Sequence, residues 1–147
     1  MKKRVAILIS GRGSNMEALI RAAQDHNYPA TIELVISNKD SALGLQVANS
    51  YGIDTKTVIR KNFNSDQEFD DHISNILLQV QIDIICTAGY MKILTKKFVD
   101  EWMNKIINIP PSLLPSYKGL NTHRRALEDG ARVTGCTTHI VRAELDS

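Results

Sequence analysis

The sequence predicts a doubly wound α/β domain, a mostly parallel sheet with helices on both faces. Three observations carry this. Short β-rich runs alternate with stretches of helical period along the chain. Several of the runs are almost wholly apolar, as strands buried on both faces must be. The first run leads straight into Ser10-Gly11-Arg12-Gly13-Ser14-Asn15, a glycine turn that opens a helical segment. Repeated β-α-β order then requires right-handed crossovers into a parallel sheet.

Taken in order, Val5–Ser10 reads as the first strand, and Met16, Leu19, Ile20 and Ala23 trace one face of the helix after it. Thr31–Ser37 is the second strand. Ala42–Tyr51 reads as a helix ending before Gly52, and Asp54–Ile59 as a third strand. In Ser65–Val80 the set Phe69, Ile73, Ile76, Leu77 and Val80 recurs at helical spacing. Ile82–Thr87 and Ile106–Ile109 complete the strands, with a further helix expected between them. No internal repeat, low-complexity tract or linker interrupts the pattern.

A chain of 147 residues is one domain, long enough to bury a substantial core. Its net charge of +2 is too small to argue for nucleic acid or a membrane surface as partner. The basic start Met1-Lys2-Lys3-Arg4 precedes an apolar run too short for a signal segment or a transmembrane span. Cys86 and Cys136 have no metal-ligand spacing, the histidines add no cluster, and no metal is implied. Cys86, within Ile84-Ile85-Cys86, reads as a buried reduced thiol, and the default is a cytoplasmic protein.

The glycine turn is a candidate anion cradle, because unpaired N–H groups at a helix N-terminus favour phosphate and glycines let it approach. Ser14 is a candidate N-cap with Glu17 as its capping-box partner. A dinucleotide fingerprint would need glycine at position 16, where Met16 stands, so a phosphate monoester fits better than NAD. The bland alternative is a tight strand-to-helix turn with no ligand, and Arg12 divides between solvated charge and anion contact.

Farther along lies Asn108-Ile109-Pro110-Pro111-Ser112-Leu113-Leu114-Pro115, followed by Gly119, Leu120, Thr122 and His123. This text resembles the catalytic segment of the folate-dependent formyltransferases, and most closely of those acting on phosphoribosylglycinamide (GAR). The resemblance implies a Rossmann-like formyltransferase fold, 10-formyltetrahydrofolate as co-substrate and GAR as acceptor in purine synthesis. It places the GAR phosphate on Gly13, Ser14 and Asn15. It gives Asn108 the oxyanion and Asp146 the support of a charged histidine, with His139 close to that aspartate. The family's general acid is a histidine at the position of Pro110, whose ring neither donates nor accepts a proton. The folate is implied to lie against Met91, Lys92, Ile93, Leu94 and Asn108, under the loop Arg142, Ala143, Glu144, Leu145 and Asp146.

Two further departures accompany Pro110. Asp66 stands where the family often has an arginine for the folate, with Lys61 as a candidate substitute. Residues 1–147 read as a single formyltransferase domain lacking the family's C-terminal portion, which continues through Gly-Gly-Pro. Each residue also has a bland reading. Asn108 reads as a strand end bonding its own backbone, His139 as a satisfied strand histidine, Asp146 as a solvated carboxylate, His123 as a helix-capping residue, and the stretch at 88–94 as a core loop. The alternatives are a non-catalytic remnant that binds folate or a phosphoribosyl ligand, and a formyltetrahydrofolate hydrolase. Oligomeric state is not readable.

Overall fold

Strand β1 (Lys3–Ile9) buries its last five residues, the signature of a central strand. Alternation sends Val5, Ile7 and Ile9 to one apolar layer, and Ala6 and Leu8 to the other. In the computed structural model, which describes residues 2–109 and 139–140, β1 pairs in parallel with β2 (Ala30–Ser37) on one side and β4 (Ile84–Ala88) on the other. Beyond β2 lies β3 (Asp54–Thr57), and beyond β4 lies β5 (Ile106–Ile109), both parallel. The strand β6 (His139–Ile140) pairs antiparallel with β5 and completes the order β3-β2-β1-β4-β5-β6. The doubly wound, mostly parallel expectation holds, with β6 as the antiparallel exception.

Among the described residues, two helices cover each face. Helix α1 (Ser14–Ala23) turns Met16, Leu19 and Ile20 onto the Val5–Ile7–Ile9 layer, joined by Ala48 of α2 (Leu43–Ser50). On the other face α3 (Asp66–Gln79) contributes Phe69, Ile73 and Leu77, and α4 (Lys96–Glu101) contributes Phe98 and Val99, with Trp102 just beyond it. Burying each such side chain stabilises by about 1.5–3 kcal/mol. Cys86 is fully buried in the first layer, and burial raises its thiol pKa.

Local chemistry explains the element ends. Ser65 caps α3 by accepting from the Glu68 N–H at 3.1 Å, while Glu68 reaches back to the Asn64 N–H at 3.0 Å. At the far end Gln81 has φ 60°, its N–H reaching Leu78 O and that of Ile82 reaching Leu77 O. This termination uses Ile82 as part of the helix cap, so β4 starts two residues later than the apolar run suggests. β3 also ends short of Ile59, and its residues are mostly exposed because it is the sheet edge. Among the described residues, no helix is long and apolar enough to cross a membrane.

Candidate functional site

Chain order reverses between β1 and β4: the first crossovers build outward through β2 to β3, and α3 then carries the chain back to the other side of β1. Loops leaving neighbouring strands in opposite directions open a crevice at their carboxyl ends. A cleft of ≈ 430 Å³ lies there, lined by residues 11–15 and by Ala88 and Gly89.

Gly13 shapes its floor. It sits in the left-handed region at φ 74°, and a Cβ there would lie 2.9 Å from Met16 Cε and 3.1 Å from Gly44 Cα. Met16, which breaks the dinucleotide pattern, is thus the buried residue packed beneath the turn. Gly44 in turn donates its N–H to Gly11 O at 3.0 Å, bringing α2 against the same loop. The N-cap is Gly13 rather than Ser14, and no side chain caps α1. The expected Ser14–Glu17 capping box is therefore absent. Ser14 already has helical geometry as the first residue of α1, and Glu17 Oε2 instead accepts from the Tyr51 hydroxyl at 2.9 Å and from Arg21. Gly13, Ser14 and Asn15 all line the cleft.

Ser10, at the end of β1, ties three segments together. Its hydroxyl donates to Asn38 Oδ1 at 2.6 Å and accepts from the Met91 N–H at 2.8 Å, linking residues far apart in sequence. The loop after β4 turns at Gly89, φ 66°, and then exposes Met91 (77%) and Ile93 (58%). The side chains of the other two residues of this loop expected against folate are engaged elsewhere. Leu94 is buried in the α3–α4 layer. Lys92 lies over the Phe69 ring at 5.0 Å and meets Asp66 at 3.2 Å. Asp66 also meets Arg60 Nε at 2.6 Å. Arg60, foremost, and Lys92 hold the Asp66 carboxyl below its usual range, so its charge is matched by these two cations.

At the ends of β4 and β5, Thr87 and Asn108 face one another in register, and Thr87 Oγ1 donates to Asn108 Oδ1 at 2.9 Å. On the other side of Asn108, the backbone of His139 is its antiparallel partner. The sequence separation of 31 positions between Asn108 and His139 is thereby closed by strand pairing. Pro110, His123, Arg142, Ala143, Glu144, Leu145 and Asp146 lie outside the described residues. Sequence reasoning missed the Thr87 contact and the Ser10–Asn38–Met91 link. A buried hydroxyl in an apolar strand was the available sign for Thr87; no local sign existed for Ser10, whose partners come from other strands.

Behind the Met91 loop, buried Asp70 accepts from the Thr95 N–H at 2.8 Å through Oδ2, while Oδ1 and the Tyr90 hydroxyl have no hydrogen-bond partner among the described residues. Desolvation raises the Asp70 pKa, only partly opposed by the Thr95 hydrogen bond. Burial, with the charge of Asp70, raises that of Tyr90.

Residues 3–147 match the family model described as formyl transferase. The chain belongs to the formyl transferase family. Among its curated relatives, the phosphoribosylglycinamide formyltransferase of Haemophilus influenzae is 47% identical over 144 residues, covering 98% of this chain and 68% of the relative. The human trifunctional purine biosynthetic protein adenosine-3 is 49% identical over 146 residues, 99% of this chain but 14% of that protein. The chain thus spans a small part of the multifunctional relatives it matches. Among solved structures, phosphoribosylglycinamide formyltransferase from Brucella melitensis superposes with a TM-score of 0.79 at 48% identity, covering 99% of this chain and 76% of that one. The fold is therefore the one this solved relative has.

Proposed function

We propose that this protein transfers a formyl group from 10-formyltetrahydrofolate to the glycinamide amine of GAR, in the cytoplasm, as a step of purine synthesis. The observation that carries the proposal is the placement of the Gly13–Asn15 turn and Asn108 at the same, carboxyl edge of the sheet. A phosphate on the turn leaves the acceptor's amine free to extend along that edge. The amine nitrogen attacks the formyl carbon, forming the new C–N bond and a tetrahedral oxyanion. The Asn108 amide donates to that oxyanion, whose collapse breaks the bond to N10. The amine must lose a proton and N10 must gain one. Pro110 offers no group for this, and His139, paired in register with Asn108, is the candidate to move the proton, with Asp146 in the supporting role that the family resemblance gives it. The folate is assigned to the Met91–Leu94 loop and to the segment 142–146, with exposed Met91 and Ile93 as the apolar contacts.

A second reading, binding without turnover, is favoured by Pro110 itself. Formyl transfer from 10-formyltetrahydrofolate to GAR, measured for this chain and for Pro110→His side by side, separates the two. Restoring a general acid is expected to raise kcat by about 10²–10⁴-fold. Turnover by the parent chain at the rate of the variant would remove Pro110 as an impairment. No turnover in either would leave the binding reading.

A further inference from the structure

Strand β4 is an almost unbroken apolar run, Ile84-Ile85-Cys86-Thr87-Ala88, and every one of its residues is buried. A hydroxyl there is unexpected, since valine has the same shape and no polar group to desolvate. Thr87 satisfies its hydroxyl by donating to Asn108 Oδ1 at 2.9 Å, across the penultimate register pair of β4 and β5. A carboxamide has an acceptor oxygen on one side and two donor hydrogens on the other. Holding the oxygen with a donor decides which side is left for a ligand.

We propose that Thr87 is a positioning residue for formyl transfer: its hydroxyl fixes the Asn108 amide so that Nδ2, with both hydrogens, is presented to the developing oxyanion. This rests on the formyl-transfer reading above. Without the hydroxyl, the amide is free to turn its oxygen, a repulsive acceptor, toward the same place. The carboxamide then has to be oriented at the moment of reaction rather than beforehand.

The test compares Thr87→Val and Thr87→Ser by the side-chain amide resonances of Asn108, assigned by their loss in Asn108→Asp. The bond predicts that valine moves the Asn108 Nδ2 pair and speeds its hydrogen exchange, and that serine keeps the parental values. A pair unmoved by valine overturns the proposal. In the Pro110→His background, a lost hydrogen bond of ordinary strength is expected to lower kcat about fivefold with KM for GAR unchanged, and serine to recover it. A rise in KM with kcat unchanged also overturns the proposal. If the resonances respond as expected while no form transfers formyl to GAR, the hold of Thr87 on Asn108 stands and the formyl-transfer reading falls.

Discussion

Gly13 concentrates several demands in one residue. Its left-handed φ, the nearby Met16 methyl and the Gly44 backbone leave no room for a side chain. Gly13→Ala is therefore expected to destabilise the fold by about 1–3 kcal/mol, from backbone strain and displacement of Met16, as a lower urea midpoint. An unchanged midpoint would mean that the turn relaxes freely. The glycine itself was legible in the sequence, since Gly-x-Gly-Ser after an apolar strand points to a tight strand-to-helix turn. The helix start was not: Ser14 is as good an N-cap as any residue, and only the backbone geometry assigns that place to Gly13. Likewise the charge of Asp66 was plain, but its pairing with Arg60 and Lys92 depends on where α3 and the β4 loop meet.

Elements meet at the cleft through hydrogen bonds that cross long sequence distances. Ser10 joins the end of β1 to Asn38 after β2 and to Met91 after β4. Ser10→Ala leaves the Met91 N–H without that acceptor, so its amide hydrogen exchange is expected to quicken by about fivefold or more, for a bond worth about 1 kcal/mol. Equal exchange in the two proteins would show that the loop is held by other contacts. Strand and helix identities followed from periodicity because each element has to bury one stripe or both faces. Boundaries shifted where capping intervened: Ile82, apolar and strand-like, closes the α3 cap beside left-handed Gln81.

Across the whole molecule, buried Asp70 makes stability depend on pH. Its folded-state pKa is raised above the ordinary carboxyl value, chiefly by desolvation. The native state therefore holds this proton more tightly than the unfolded chain. The associated stability is present at low pH and is lost as pH rises from the unfolded pKa through the raised native one. Asp70→Asn removes this dependence, so the variant is expected to gain on the parent between pH 4 and pH 7 in urea titrations. A constant difference across that range would show that Asp70 does not titrate as its burial requires.

The sequence by itself determined the layered α/β architecture, because alternating apolar periods leave few other ways to bury these faces. It also identified the formyl transferase family, because motif order is a property of the chain. Tertiary structure alone decided the order β3-β2-β1-β4-β5-β6, and with it which strand ends share a cleft. It brought Thr87 to Asn108 and Ser10 to Met91, and it buried Leu94 while exposing Met91. Those contacts join residues whose separation along the chain carries no period or local signal, and they exist only once the crossovers have set neighbouring strands in register.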